Sequence, residues 1–181
     1  MRLYVLRHAQ RAPDDPTFDS PLLPEGQETA TELATKLKTS CPPFTHLYTS
    51  PFLRCVQTIA PYCQASERVV RVEHALYEYI RADAGHDPVA FRRSWEQGTH
   101  PELDACVDRT YASWWPLTAL TYDESETTMR RRVRAFVAHL REQHAADDVV
   151  LLVTHLSAIN AILDRPDETD CAMGSVVEVE V

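Results

Sequence analysis

Two short apolar runs, near opposite ends of the 181-residue chain, each lead into a histidine. Leu3–Leu6 leads through Arg7 into His8, and Val149–Val153 leads through one threonine into His155. Runs that are apolar throughout but too short for a helix are typical of strands buried on both faces of a parallel sheet. Ligands bind beyond the carboxyl ends of such strands, so we expect both histidines at one edge of one sheet.

Helix-like and strand-like segments alternate along the rest of the chain. The helix-like segments are Glu25–Lys38, a helix starting at Ser50-Pro51, a long helix capped by Ser125, and Ala158–Leu163; the strand-like segments are Phe44–Tyr48, Val69–Val72 and an edge strand at Val176–Val181. Alternation without an internal repeat predicts an α/β fold, a three-layer α/β/α domain with a mainly parallel central sheet. We predict a single domain over residues 1–181, with residues 81–122 as a lid-like insertion.

Composition limits the partners and the compartment. The formal net charge of -9 disfavours direct binding to nucleic acid or to an anionic membrane. No apolar run approaches the ~20 residues of a membrane span, and charged residues interrupt the N-terminal run. We therefore expect a soluble protein of the cytoplasm, with the nucleus as a second location. The five cysteines are odd in number and form no C-x-x-C pair, which predicts reduced, mostly buried thiols.

Arginines cluster on the long helix that follows Ser125. Its apolar face leaves Arg130, Arg131, Arg132 and Arg134 on positions that we expect to be mostly solvated. Such a charge run usually serves solubility, and a nucleic-acid patch is the alternative interpretation.

Two further residues carry chemistry that suits the predicted sheet edge. Arg54 lies in the first turn of the helix at Ser50-Pro51, where serine is the expected N-cap and free N–H groups favour an anion. Glu78 is embedded in an apolar, aromatic stretch, which favours a raised pKa. Guanidinium groups match phosphate oxygens and stabilise a transferring phosphoryl group without a metal. A neutral imidazole could attack phosphorus, and the carboxylic acid could protonate the leaving alkoxide.

Each of these residues also has a purely structural interpretation. A histidine alone is more often a buried side chain bonded to a backbone carbonyl, and an arginine alone is more often a surface residue; only joint placement favours catalysis. Motifs of other hydrolases are absent: no cysteine is followed six positions later by arginine, and no G-x-x-x-x-G-K, G-x-S-x-G or H-E-x-x-H sequence occurs. His8 and His155 lack carboxylate companions at metal spacing, so we expect no metal.

Four segments, in chain order, resemble the motifs of the histidine phosphatase superfamily, which has the phosphoglycerate mutase-like fold. They are Arg7-His8-Ala9, the S-P-x-x-R-x-x-Q-T segment Ser50–Thr58, the acid segment Glu73–Tyr79, and Val153-Thr154-His155. The cysteine and glutamine of the second segment are similar to the branch that contains T-cell signalling suppressor phosphatases and ecdysteroid-phosphate phosphatase. Arg11 fits an additional pocket arginine of that branch.

The resemblance implies a metal-independent phosphomonoester hydrolase that needs no cofactor. His8 would be the nucleophile that forms a phosphohistidine, and Glu78 would be the proton donor. The residues that would bind the phosphoryl group are Arg7, Arg11, Arg54 and His155, the last of them also counted as catalytic. The substrate would be a phosphorylated small molecule or a phosphoprotein, and a protein complex or a homodimer is left open.

Two departures from the superfamily pattern support a different function. Ala9 and Leu156 stand where glycine usually follows each histidine. With the exposed aromatics expected of Trp95, Trp114 and Trp115, they favour a catalytically degenerate subunit that serves as a protein-binding module in a larger assembly. Mutase activity is a third interpretation, which a small lid disfavours because little surface would retain a bisphosphate.

Overall fold

The computed structural model describes residues 1–15, 17–78, 99–116, 124–166 and 169–180. The strands are β1 Arg2–Arg7, β2 His46–Thr49, β3 Arg71–Val72, β4 Val149–Thr154 and β5 Val176–Val179. They form one sheet in the order β3-β2-β4-β1-β5. The first four strands in this order pair in parallel, and β5 is an antiparallel edge strand beside β1. The predicted mainly parallel sheet is confirmed.

Helices cover both faces of this sheet. Those in the described ranges are α1 Pro24–Ser40, α2 Leu53–Ser66, α3 Glu126–Gln143 and α4 Leu156–Ile162, with 3₁₀ helices at His74–Leu76 and Pro101–Cys106. Alternate strand residues face opposite layers: Leu6 and Val153 pack in the cluster that includes α1 and α2, whereas Val5 and Leu152 pack in the one that includes α3 and α4. Burial on both faces explains the continuous apolar runs, and the three-layer prediction is confirmed.

The start of α2 differs from the prediction. The helix begins at Leu53 with Phe52 at the N-cap position, so Ser50 does not cap it. The Ser50 hydroxyl instead lies 2.8 Å from Nε2 of His155. The Leu53 N–H donates to the Phe18 carbonyl at 2.8 Å. This N–H group is therefore already used, contrary to the expectation of a free helix terminus.

Helix α3 confirms one prediction and contradicts another. Ser125 caps it as expected, since its hydroxyl accepts the Thr128 N–H at 3.2 Å. Arg132, predicted to face solvent, is 1% exposed. Its Nη2 lies 2.6 Å from Oε2 of the equally buried Glu124. An isolated charge at this depth would cost several kcal/mol, so the burial of the arginine depends on this partner.

The described part of the predicted insertion, residues 99–116, packs at the β3 side of the sheet. Val107 forms a parallel bridge with Val70, and the 3₁₀ helix Pro101–Cys106 lies against α2. The other residues of the insertion, 81–98 with Trp95 among them and 117–122, lie outside the described ranges. The lid role of residues 81–122 and the single-domain assignment therefore stay predictions.

Glu73, the residue after β3, anchors the end of this segment. Its carboxylate accepts hydrogen bonds from the Tyr111 hydroxyl at 2.6 Å, the Ser113 hydroxyl at 2.8 Å, and the N–H groups of Trp114 and Trp115 at 2.9 and 3.1 Å. A buried carboxylate with this many donors is fully compensated, so it fixes residues 111–115 against the sheet.

The thiols agree with the sequence prediction. All five cysteines are free, and four of them are buried. Among the helices that the structure describes, none has the length and apolar character needed to cross a bilayer. The cytoplasmic location stays a prediction.

Candidate active site

The carboxyl ends of β1 and β4 bring the two predicted histidines together. Arg7 pairs with Thr154 in the parallel register, so His8 and His155 leave the two strands at the same level. Their ring centroids lie 5.2 Å apart, with an angle of 62° between the ring planes. Both side chains are buried. The strand-end argument therefore placed these two residues correctly.

The imidazole of His8 is held in one tautomer. Its Nδ1 lies 2.8 Å from the carbonyl oxygen of Ala9. Because a carbonyl accepts and never donates, Nδ1 carries the proton and Nε2 keeps its lone pair. Burial, assisted by the positive charge of Arg54, lowers the pKa of His8 to about 3. The ring is thus neutral at physiological pH, which is the form able to attack an electrophile.

His155 has a partner at each ring nitrogen. Nη2 of Arg54 lies 3.4 Å from Nδ1, and Oγ of Ser50 lies 2.8 Å from Nε2. A guanidinium only donates, so Nδ1 accepts and the Nε2–H group donates to the serine. Burial and the charge of Arg54 lower the pKa of His155 well below its ordinary value. This second imidazole is therefore also neutral and fixed in orientation.

Arg54 is a buried cation beside both imidazoles. It is 2% exposed, its Nη1 donates to the Thr17 carbonyl at 3.0 Å, and its guanidinium lies 4.1 Å from the centre of the Phe52 ring. Burial lowers its pKa to about 10, so it stays charged at neutral pH. Its Nε is buried with no hydrogen-bond partner among the described residues. A buried cation with an unused donor is suited to receive an anion.

Glu78 reaches the same group of side chains. Its Oε2 lies 3.8 Å from Nδ1 of His155, and the Ser157 hydroxyl donates to Oε1. The carboxyl side chain is 30% exposed, so one side of it faces solvent. Glu78 therefore lies beside His155 with part of its side chain in solvent, and its role as proton donor stays a prediction.

The other two predicted arginines lie near the site, with their guanidinium groups bound elsewhere. Nη1 of Arg7 donates to a backbone carbonyl in the segment before β5 and lies 3.4 Å from Oδ1 of Asp170. Nη1 of Arg11 donates to the Asp15 carbonyl at 3.0 Å. Both charges still act on His8, because each lowers its pKa. Nε of Arg7, like that of Arg54, is buried without a hydrogen-bond partner among the described residues. The phosphate-binding roles of Arg7 and Arg11 stay predictions.

The residues that replace glycine after each histidine fit the backbone without strain. Neither Ala9 nor Leu156 has a positive φ angle. The Ala9 N–H donates to the Thr58 hydroxyl at 3.0 Å, and its methyl group is buried with Leu22 and Ala30. Leu156 packs with the cluster on the α3 side of the sheet, whereas Arg54 belongs to α2 on the other side. The Leu156 side chain therefore packs against the α3 side of the sheet.

Cys55 is the one cysteine of the described chain that contacts a site histidine. Its Sγ lies 3.6 Å from Nε2 of His155, but burial raises the pKa of the thiol to about 12. A thiol this weakly acidic supplies no thiolate at neutral pH, which agrees with the absence of a cysteine-phosphatase motif.

Two site serines were missed in the sequence. Ser50 follows β2 as His8 follows β1, so the strand-end argument would have found it had the Ser-Pro pair not indicated a helix cap. Ser157 follows the second histidine by two residues, and no sequence pattern marks it.

Comparison with known proteins agrees with this geometry. Residues 3–173 match the family model described as histidine phosphatase superfamily (branch 1). The chain belongs to this superfamily. The resemblance inferred from the four motifs is therefore confirmed.

Curated relatives of the chain are much longer proteins. The chain is 30% identical over 121 residues to the human ubiquitin-associated and SH3 domain-containing protein B, a match covering 64% of this chain and 18% of that protein. It is 24% identical over 185 residues to the transcription factor tau 55 kDa subunit of Saccharomyces cerevisiae, covering 86% of this chain and 38% of that subunit. The chain thus spans less than two fifths of either relative.

Solved phosphatase structures share the fold. The alpha-ribazole phosphatase of Shigella flexneri has a TM-score of 0.68 at 21% identity, over 100% of this chain and 91% of that one. A mycobacterial glucosyl-3-phosphoglycerate phosphatase has a TM-score of 0.65 at 22% identity, over 98% and 88%. The ecdysone phosphate phosphatase of Bombix mori has a TM-score of 0.62 at 17% identity, over 95% and 81%. The predicted phosphoglycerate mutase-like fold is confirmed.

Proposed function

We propose that this chain is a metal-independent phosphomonoester hydrolase that forms a phosphohistidine on His8. One observation carries the proposal: a neutral imidazole with a free Nε2 lone pair lies buried next to Arg54, a buried cation with an unused donor. These features suit a nucleophile and an anion receptor that lie side by side, at the strand ends where α/β folds bind ligands.

The charge of the pocket favours a phosphate ester over a neutral substrate. A phosphoryl group that enters exchanges its hydration for the guanidinium of Arg54, with Arg7 and Arg11 adding positive potential. The negative charge also offsets the two factors that keep His155 neutral, burial and the nearby cation. When a phosphoryl oxygen replaces Nη2 of Arg54 as the partner of Nδ1, His155 can take up a proton there and bind that oxygen as a second cationic donor.

The reaction then has two steps. Nε2 of His8 attacks phosphorus in line, the P–O ester bond breaks, and the leaving alkoxide takes a proton from the carboxyl group of Glu78. The resulting carboxylate next accepts a proton from water, which attacks the phosphohistidine and releases inorganic phosphate. Ser157, which donates to Oε1 of Glu78, would hold the carboxyl group in place during both transfers.

The nucleophile is tested with p-nitrophenyl phosphate in the presence of EDTA. Wild type is expected to turn over, His8→Ala is expected to be inactive, and the matched control His100→Ala, a histidine bonded to Glu102 outside the site, should keep full activity. Rapid acid-free quenching and mass spectrometry should find a phosphoryl adduct on His8. Activity that persists unchanged in His8→Ala would exclude this mechanism.

The acid is tested by leaving-group dependence. Glu78→Gln removes the proton donor, so hydrolysis of alkyl phosphates should slow by the ~10²–10⁴-fold typical of a lost general acid. Hydrolysis of p-nitrophenyl phosphate should slow far less, because its leaving group needs no proton. Equal slowing of the two esters would contradict the assignment.

A second candidate function is a protein-binding module without turnover. It is favoured by the similarity to a subunit of transcription factor tau and by the exposed ring of Trp114, which stacks on His139 of α3 at 4.8 Å between ring centroids. Recovery of the tagged chain in a stable assembly, with no turnover of any phosphomonoester, would support this function against the first. A homodimer and a larger complex both stay predictions.

A further inference from the structure

Three potential metal ligands converge at the amino end of the sheet, opposite the catalytic pocket. His46 is the first residue of β2, His144 ends α3, and Asp148 directly precedes β4. One ligand atom from each of the three side chains lies within 4.8 Å of the other two. Three separate elements thus supply one nitrogen or oxygen each to a single point.

Two distances, one to each oxygen of the Asp148 carboxylate, are compatible with a tetrahedral ion. Nε2 of His46 lies 3.4 Å from Oδ1 of Asp148, and Nδ1 of His144 lies 3.5 Å from Oδ2. Bonds of about 2.0–2.2 Å to a tetrahedral zinc ion separate neighbouring ligand atoms by roughly 3.3–3.5 Å. We propose that His46, His144 and Asp148 form a site for Zn²⁺ or a similar divalent transition metal, with the fourth position open to water.

The surroundings orient two of the three ligands. The Asp148 carboxylate accepts the Thr45 hydroxyl at 3.1 Å and the Ala145 N–H at 2.9 Å. Nε2 of His144 lies 3.1 Å from the Tyr48 hydroxyl, which leaves Nδ1 directed at the carboxylate. Partners of this kind hold metal ligands in position. His46 and Asp148 are each about a quarter exposed, at 25% and 22%, so an ion can enter from solvent.

Arg71 opposes the proposed ion. Its Nη1 lies 3.3 Å from Nδ1 of His46, and since a guanidinium only donates, Nδ1 accepts and the proton lies on Nε2. Binding through Nε2 moves that proton to Nδ1 and displaces the guanidinium. Nε of Arg71 already pairs with Oδ2 of Asp108 at 3.7 Å, so the guanidinium keeps an anionic partner when it leaves His46. The cation therefore weakens the site, which gives the proposal a gain-of-binding test.

The sequence does not reveal this trio. Only His144 and Asp148 lie near each other in the chain, and His46 reaches them through the parallel pairing of β2 with β4. The expectation of no metal was drawn from the two catalytic histidines. The proposed site is separate from catalysis, so turnover in EDTA is still expected.

Isothermal titration of the chelator-treated chain with Zn²⁺ alone tests the proposal. Wild type should bind one equivalent, and His144→Gln and Asp148→Asn should each lose at least tenfold in affinity. The controls His100→Gln and His8→Gln should bind as wild type does, the second because the ion is not in the catalytic pocket. Arg71→Gln should bind zinc about threefold more tightly or better, since a nearby positive charge is removed.

Zinc should also raise the midpoint of thermal unfolding of wild type, but not of Asp148→Asn. Misfolding can only weaken zinc binding, so the tighter binding expected of Arg71→Gln cannot be explained by misfolding. No binding by wild type, equal binding by His144→Gln and Asp148→Asn, or loss of binding only in His8→Gln would each overturn the proposal.

Discussion

Replacing Arg132 by leucine removes a buried cation that binds several acceptors at once. Its Nε and Nη2 lie 3.0 and 2.6 Å from the two carboxylate oxygens of Glu124. Its Nη1 donates to the Ala75 carbonyl at 2.5 Å and to the Tyr77 carbonyl at 3.3 Å. The guanidinium also lies 3.5 Å from the centre of the Tyr77 ring. No leucine can replace any of these hydrogen bonds.

The expected loss of stability follows from the partner that remains. Arg132→Leu leaves the carboxylate of Glu124 buried without its cation, which costs about 3–5 kcal/mol in the free energy of unfolding. The control Arg134→Leu, two residues further along the same helix, breaks a pair with Asp164 in which the two side chains are 47% and 86% exposed. That loss should stay below about 1 kcal/mol.

The double variant Arg132→Leu/Glu124→Leu distinguishes the cost of losing the ion pair from the cost of leaving the Glu124 carboxylate buried without a cation. With neither charge buried, most of the cost of the single substitution should be recovered. Urea unfolding of the three variants and wild type measures these differences. A single-variant cost below about 1 kcal/mol, or a double variant as unstable as the single one, would refute the reasoning.

The same substitution should affect catalysis through Glu78. Arg132 binds the carbonyl of Tyr77, the residue before the proposed acid, so its loss frees the backbone that carries Glu78. We expect kcat for an alkyl phosphate to fall more than kcat for p-nitrophenyl phosphate. If Arg132 only stabilised the fold, the substitution would lower both kcat values equally, because it would only reduce the fraction of folded protein.

Three further predictions follow from single contacts. The pKa of His8 is about 3 in the folded chain and 6.5 in the unfolded chain, so only the unfolded chain binds this proton as pH falls from 6.5 to 3. The free energy of unfolding should therefore fall by up to about 5 kcal/mol over this range. Urea unfolding at pH 7 and pH 4 should show a smaller pH dependence for His8→Gln than for wild type. Gly26→Ala should lower the free energy of unfolding by about 1–3 kcal/mol, because the new Cβ would lie 2.2 Å from the Gln10 carbonyl oxygen. Thermal unfolding checks this, and a midpoint above that of wild type would contradict it. Ser50→Ala should lower kcat/KM by roughly tenfold, since one hydrogen bond to His155 is lost, and unchanged kinetics would disprove that orienting role.

The sequence predicted the layers and the meeting of the histidines because one physical rule covers both. Strands buried on two faces have no polar positions until they end, so Leu3–Leu6 and Val149–Val153 mark their own termini. Parallel pairing then brings those termini to one edge. This rule applies to residues at strand ends. It therefore let us expect Glu78 and Arg54 near the same edge, but it could not give their exact positions.

What the sequence could not predict depends on partners distant in the chain. Arg132 shares a helix with arginines such as Arg134 that do reach solvent, and only Glu124 makes its burial tolerable. Arg7 and Arg11 match the motif by position, yet their guanidinium groups bind backbone carbonyls of neighbouring loops. Spacing along a strand or helix predicts which face of that element a residue lies on. It does not predict which acceptor the end of a long side chain reaches.

Strand β4 has Asp148 immediately before it and His155 immediately after it. Seven residues of extended chain span roughly 23 Å, which is well beyond the screening length of about 8 Å in physiological salt. A charge introduced in solvent at one end would therefore act only weakly on exposed ionisable groups at the other, whereas the buried His155 is screened much less. A reporter dye or a solid support attached beside His46 and Asp148 would therefore lie a full strand length, about 23 Å, from the edge where His8 and His155 meet.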